Sequence, residues 1–344
     1  MAKRILVTGG AGYIGSHTVV ELMQQGYEVV VVDNLSNSNI NVLDGIASIV
    51  GRRPDFVNAD CCDYVAIDNV FRSYTDLCGV IHFAAAKAVG ESVEKPLHYY
   101  RNNIHSLTTV LELMQEHKVN HIVFSSSCTV YGQPDADHLP VDETAPRKKA
   151  LSPYGNTKQI NEDIIIDQAH ACDDLHAIIL RYFNPIGAHP SALIGELPNG
   201  IPNNLLPFVT QTAAGLRKEL RVFGNDYNTP DGSCIRDYIY VVDLAKAHVK
   251  AIERMLSAKA EERVEVFNLG TGRGLSVLEI IREFEKATGQ KLPYTIVGRR
   301  EGDIEQVWAD PTKANTVLGW KADTPIADVL LSAWNWEKHL RNIP

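Results

Sequence analysis

Arg4-Ile5-Leu6-Val7-Thr8-Gly9-Gly10-Ala11-Gly12-Tyr13-Ile14-Gly15 is a β-branched run that breaks into a glycine-rich turn and passes at once into a helical pattern lasting to Gln25. Strand, turn and helix in that order give the spacing Gly9, Gly12, Gly15 a meaning that glycines alone lack. The first allows a tight turn, the second lets the main chain approach a pyrophosphate, and the third lets helix pack closely on strand. Helix entry at Tyr13 and Ile14 presents unpaired N–H groups and the positive end of the helix dipole to an anion. Asp33 ends the next β-branched run, 18 residues after Gly15. A carboxylate there accepts hydrogen bonds from ribose hydroxyls and repels a 2′-phosphate, and Asn34-Leu35-Ser36-Asn37-Ser38 offers no Arg or Lys to receive one. The unit predicts a dinucleotide site that favours NAD over NADP. Asp60, just past the third strand-like segment, has two open readings: a contact to adenine or a solvated turn aspartate.

The same alternation continues outward. Glu28 to Val32, Gly79 to His82, His121 to Phe124 and Ala177 to Arg181 are short apolar runs, and Asn103 to Lys118 and Gly155 to Ala171 between them have a period near 3.6. Near-continuous apolar strands joined by helical crossovers make a parallel sheet buried on both faces. The prediction is an α/β fold: a Rossmann-type doubly wound parallel sheet over residues 1–184, followed by a smaller mixed α/β lobe over 185–344 that binds substrate. Pro, Asn and Gly become frequent after Pro185, while the helical pattern from Tyr240 to Ser257 and the strand Glu265 to Asn268 predict a return to the sheet over about 238–270.

At 344 residues, 45% hydrophobic and with a net charge of −9, the chain has a globular composition and no basic run longer than Arg147-Lys148-Lys149. This excludes a nucleic-acid or anionic-membrane surface and points to a small ligand. Met1-Ala2-Lys3-Arg4 leads into too short an apolar run for a signal peptide, and no stretch approaches the roughly 18 apolar residues of a membrane span. A cytoplasmic protein with reduced thiols is expected, since the six cysteines are scattered. The twelve histidines show no metal-ligand spacing, and no metal is predicted.

Tyr154-Gly155-Asn156-Thr157-Lys158 puts a phenol and an ammonium on one face of a helix predicted to start at Pro153. A free tyrosine ionises near pH 10, so a tyrosine base working near neutrality needs a cation beside it. The preceding strand runs into Ser125-Ser126-Ser127-Cys128-Thr129, which places hydroxyls at the carboxyl end of a parallel strand, where α/β folds bind ligands. Ser127 is the candidate partner of Tyr154.

On the glycine turn and the ordered set Ser127, Tyr154, Lys158, the chain resembles the extended short-chain dehydrogenase/reductase family over essentially its full length. Four longer strings narrow the resemblance to the UDP-sugar 4-epimerases of that family: Phe83 to Ser92, Ser152 to Lys158, Tyr182 to Pro190 and Arg236 to Val241. The resemblance implies tightly bound NAD, a 4-keto sugar intermediate, interconversion of UDP-glucose and UDP-galactose, and a homodimer built through the helices at 103–118 and 155–171. It assigns Tyr154 as base, Ser127 as its hydrogen-bonding partner and Lys158 as the group that holds the nicotinamide ribose. It gives Asn34, Asn37, Ser38, Phe83, Ala84, Lys87, Asn102, Ser125 and Tyr182 to the cofactor.

For the substrate the resemblance implies Lys87, Ser127 and Tyr154 near the sugar, Asn184 and Asn204 beside the diphosphate, and Leu205 and Phe223 at the uracil. Arg236 and Arg300 would pair with the diphosphate and Asp303 with the uridine ribose; a planar guanidinium makes paired charge-assisted bonds to phosphate. Val307 stands where related epimerases restricted to UDP-glucose and UDP-galactose carry a bulky tyrosine, so room for N-acetylated sugars is expected. The nearest alternatives are another nucleotide-sugar enzyme on the same fold and a catalytically silent dinucleotide-binding protein. Dehydratases of the family resemble one another in an Asp-Glu pair where this chain has Cys128-Thr129.

Overall fold

The computed structural model describes residues 3–300 and 303–343. Its strands, in chain order, are β1 (Arg4–Thr8), β2 (Glu28–Asp33), β3 (Asp55–Asn58), β4 (Leu77–His82), β5 (His121–Ser125), β6 (His176–Tyr182), β7 (Asn184–Ile186), β8 (Leu220–Phe223), β9 (Ile235–Tyr240), β10 (Val264–Leu269), β11 (Gly274–Ser276), β12 (Tyr294–Val297) and β13 (Gln306–Val307). The helices are α1 (Tyr13–Gln24), α2 (Val42–Val50), α3 (Tyr64–Ser73), α4 (Val89–Glu94), α5 (Pro96–Glu116), α6 (Pro153–Ala171), α7 (Leu205–Ala213), α8 (Val241–Leu256), α9 (Val277–Thr288) and α10 (Ile326–Arg341).

Seven strands form one parallel sheet in the order β10-β6-β5-β4-β1-β2-β3. The chain winds outward from β1 in one direction through β2 and β3, and then in the other through β4, β5 and β6. The reversal leaves a crevice at the carboxyl ends of β1 and β4, the position at which doubly wound sheets bind ligands. Alternation along each strand fills both faces. Ile5, Val7, Val29, Val31 and Val123 belong to the core under α1, α2 and α8, whereas Leu6, Val30, Val32, Ile122 and Phe124 belong to the core under α3, α5 and α6. Odd-numbered residues near the end of β5 therefore face one layer and even-numbered residues the other.

Local chemistry sets the helix starts. Ser152 caps α6 by accepting from Gly155 N at 3.1 Å, and Pro153 occupies the first turn, where its missing N–H leaves no hydrogen bond unmade. Helix α5 begins at Pro96 rather than near Asn103, again with proline in its first turn but with no side-chain cap from Lys95. After β7 the chain builds a small sheet in which β9 pairs with β7, β11 and β13, and a separate pair β8-β12. Helix α8 and strand β10 then rejoin the large sheet, α8 against α1 and β10 beside β6. No helix among the described residues is long and apolar enough to cross a membrane.

Candidate active site

The glycine turn is fixed by its own main chain. Gly9 N donates to Val32 O at 2.7 Å and Gly12 N donates to Gly9 O at 3.0 Å. Gly9 has φ +68°, and a Cβ there would meet Ala84 N at 2.8 Å, so the turn sits directly against the chain leaving β4. Gly12 precedes α1 with no side chain over the helix end, and a Cβ on it would touch nothing but Gly9 O. Buried Asp33 holds the turn from the side, accepting from Ala11 N at 3.1 Å, Leu35 N at 2.9 Å and Ser38 Oγ at 2.8 Å. A carboxylate offers about four acceptor positions, so one remains for a ribose hydroxyl. Tyr13 and Ile14 begin α1 as expected. Asp60 is a turn aspartate, accepting from Cys62 N at 2.8 Å, and it also accepts from Asn34 Nδ2 at 3.0 Å. Asn37 is exposed. An open helix end, a cradle without side chains and a buried acidic anchor at the crevice fit a dinucleotide.

Ser125, Ser127, Tyr154, Lys158 and Tyr182 converge at the end of β5. Lys158 is 3% exposed, and its Nζ donates to Ser125 O at 2.5 Å while lying 4.9 Å from the centroid of the Phe124 ring and 5.9 Å from that of Tyr154. Burial pulls the Lys158 ammonium down to about 8, opposed by Glu162 one turn further along α6. Burial also pushes the Tyr154 phenol up, Tyr182 adds to the rise, and the neighbouring Ser127 hydroxyl offsets part of it. Ser125 shares a short hydrogen bond with the Tyr182 hydroxyl. The loop after β4 is tied to this group through Asn103, which accepts from Ala86 N at 2.8 Å and from Asn102 Nδ2 at 2.9 Å and donates to Thr157 Oγ1 at 3.0 Å. Phe83 sits over the buried His248 ring at 4.7 Å. The chemistry available is proton transfer at a hydroxyl beside a phenol whose ring centroid lies 5.9 Å from the Lys158 ammonium.

The second lobe brings further groups together. Arg300 donates to Asp303 Oδ1 at 2.7 Å, Arg236 lies 3.7 Å from the same oxygen, and the Arg300 guanidinium stands 5.9 Å from the exposed Phe223 ring. Glu301 and Gly302, between Arg300 and Asp303, lie outside the described residues. Asn184 opens β7 and pairs with Tyr238. Asn204 precedes α7 and Leu205 begins it, packed on that lobe's core. Val307 pairs in register with Arg236 but is 2% exposed, packed with Val130, Tyr131, Phe183 and the half-buried Cys128. It lies behind the Ser127-Cys128 turn rather than at an open surface.

Two groups escaped the sequence reading. Glu196 accepts from Asn204 Nδ2 at 2.6 Å and lies 3.8 Å from Lys87 Nζ, so it links the two. Below the serines, Glu162 binds both Arg181 and Ser126. The one signal for Glu162 is its spacing, two further helical steps of four from Tyr154; Glu196 has none nearby in the chain.

A family model described as GDP-mannose 4,6 dehydratase matches residues 6–332. A UDP-glucose 4-epimerase of Dictyostelium discoideum is 51% identical over 334 residues, covering 97% of this chain and 95% of that one. The human UDP-glucose 4-epimerase is 48% identical, covering 98% and 97%. The solved structure of UDP-glucose 4-epimerase from Bifidobacterium longum, in complex with NAD+ and UDP, superposes with a TM-score of 0.94 at 47% identity, covering 99% of this chain and 100% of that one. With hydroxyl, phenol and ammonium in place at the carboxyl end of β5, beside the switch-point crevice, and no carboxylate pair at Cys128-Thr129, the chain belongs to the UDP-glucose 4-epimerase family, within the broader group that the dehydratase model describes.

Proposed function

We propose that this protein interconverts UDP-glucose and UDP-galactose through a 4-keto sugar, with NAD retained between turnovers. The observation that carries the reading is the convergence of Ser127, Tyr154 and Lys158 at the end of β5, opposite a glycine turn anchored by Asp33. NAD, when bound, supplies the reversible hydride acceptor for C4 of the sugar. Tyr154 takes the proton of the 4-hydroxyl and returns it, Ser127 bonds the same oxygen, and the Lys158 ammonium stabilises the phenolate. Gly9, Gly12, Tyr13, Ile14 and Gly15 hold the pyrophosphate, and Asp33 the adenosine ribose. Asn34, Asn37, Ser38, Asp60, Phe83, Ala84, Lys87, Asn102, Ser125 and Tyr182 complete the cofactor site.

Arg236, Arg300, Asn184 and Asn204 grip the diphosphate, with Leu205, Phe223 and Asp303 on the uridine. Holding the nucleotide far from the reacting carbon leaves the sugar free to turn and present its other face. Residues 1–184, with the return at about 238–270, serve the cofactor, and the rest of 185–344 serves the substrate. Val307 is small and backs the Ser127-Cys128 turn, which supports acceptance of UDP-N-acetylglucosamine and UDP-N-acetylgalactosamine. A cytoplasmic homodimer through the outer faces of α5 and α6 completes the reading, supported by Leu97, which is 77% exposed, and by half-exposed Tyr100 and Ile104 on the same face.

The test supplies UDP-galactose and UDP-N-acetylgalactosamine separately to purified protein without added NAD. Conversion of both to their 4-epimers, with no NADH accumulating, is the expected result. Steady NADH release with UDP-glucose would overturn the epimerase cycle. Failure with the N-acetylated sugar alone would overturn only the argument from Val307.

A further inference from the structure

Ser126 has no place in the chemistry above, yet it sits between two serines that do. It is fully buried just past β5, and its side chain meets α6 whereas that of Ser125 meets Tyr182 of β6. There its hydroxyl donates to Glu162 Oε1 at 2.5 Å. Glu162 is also fully buried and receives both arms of Arg181, Nε at 2.9 Å and Nη2 at 2.6 Å. Its second oxygen also meets Arg147 at 3.4 Å. The same helix face carries Lys158 one turn back and Tyr154 two turns back.

A buried ion pair of this kind adds little stability, because well-packed apolar residues of like volume do as well or better. What apolar packing cannot do is fix direction. Each bond in this cluster runs between separate parts of the chain: α6 to β5 through Ser126, α6 to β6 through Arg181. Resting on the epimerase reading, we propose that Glu162 is a positioning residue: paired with Arg181, it clamps the end of β5 through Ser126 and so sets Ser127 against the helix face that carries Tyr154 and Lys158.

A second consequence follows from its charge. Lys158 is faced by Tyr154 and Glu162 from its own helix, by the Ser125 carbonyl and Phe124 ring from β5, and by His82 from β4. Burial drops His82 to about 3, so it is neutral. Glu162 is then the carboxylate that keeps Lys158 charged. Lys158 is protonated below its own transition, and the cation is lost as pH rises through about 8. Removing the Glu162 charge lowers that transition, so the alkaline fall in kcat moves to lower pH.

Two variants are measured beside the wild type. Ser126→Ala deletes one oxygen and leaves Glu162 paired with Arg181, so it folds. It is expected to lower kcat about tenfold, with KM for UDP-galactose within about twofold, since the lost element is orientation and not binding. Amides of residues 126–131 should exchange with deuterium about tenfold faster, while those of α1 are unchanged. Glu162→Gln keeps an acceptor for Ser126 and removes the charge, and it should shift the alkaline limb of kcat down by about one pH unit. Wild-type kcat and wild-type exchange in Ser126→Ala would overturn the proposal whether or not Glu162→Gln folds. Absence of epimerase activity in the wild type would instead sink the functional reading, and the exchange measurement would still decide the clamp.

Discussion

Tyr154→Phe is expected to lower kcat for UDP-galactose by about three orders of magnitude, with KM changed less than about threefold and NAD still bound. General acid–base catalysis by a positioned side chain contributes on the order of 10²–10⁴ in rate, and the substitution removes the proton acceptor while keeping the ring. Three orders correspond to about 4 kcal/mol of barrier. The ring is half-buried at the first turn of a capped helix, so phenylalanine fits without moving Lys158 or Ser127, and the unfolding midpoint should match wild type. No other group in the cluster substitutes at neutral pH: Ser127 is an alcohol, Lys158 is protonated below about 8 and Cys128 is held up at about 12 by its own burial. Progress curves with UDP-galactose, read alongside the bound NAD content of each protein, check the result. Full turnover by the phenylalanine variant would place the chemistry on a different residue.

What the sequence made legible was local. The glycine turn, Asp33, and the Tyr154-Lys158 pair are each defined by residues within a few positions of one another, and their helical or extended period carries the geometry with it. Ser127 needed only the end of one strand. The substrate lobe was harder because its sheet is assembled from short strands that meet across long stretches of chain: β9 lies between β11 and β13 at its start and pairs with β7 further along. No local pattern writes such pairings. Glu162 and Ser126 escaped for the same reason: despite its spacing from Tyr154, a carboxylate amid Asn161 and Asp163 reads as a solvated helix face until Arg181 from another strand closes on it. Val307 shows the reverse case. Its position along the chain was read from resemblance, but its burial behind Cys128 comes from packing among strands and loops that the sequence keeps apart.

Gly15→Ala should abolish retention of NAD, weakening its binding by about 10²-fold or more. Alanine is ordinarily the better helix former, by about 1 kcal/mol, so propensity alone favours the substitution inside α1. The surroundings reverse that sign. A Cβ on Gly15 would stand 2.3 Å from Gly9 O and 2.8 Å from Gly10 Cα, and both obstacles are main chain, with no side-chain torsion to relieve them. Either α1 moves off β1 or the turn opens, and each displaces the N–H groups that face the pyrophosphate; a shift near 1 Å in such a site costs about 10² in function. Gly90→Ala is the matched control, since nothing lies within 4 Å of a Cβ there and its φ is not positive, and it should leave NAD content and stability at or above wild type. Acid release of nucleotide from each purified protein, counted per chain, with the unfolding midpoint measured beside it, separates the outcomes. Wild-type NAD content in Gly15→Ala would mean that the turn does not hold the pyrophosphate, whereas equal losses in both variants would point to a general effect of added bulk rather than to the collision at Gly9.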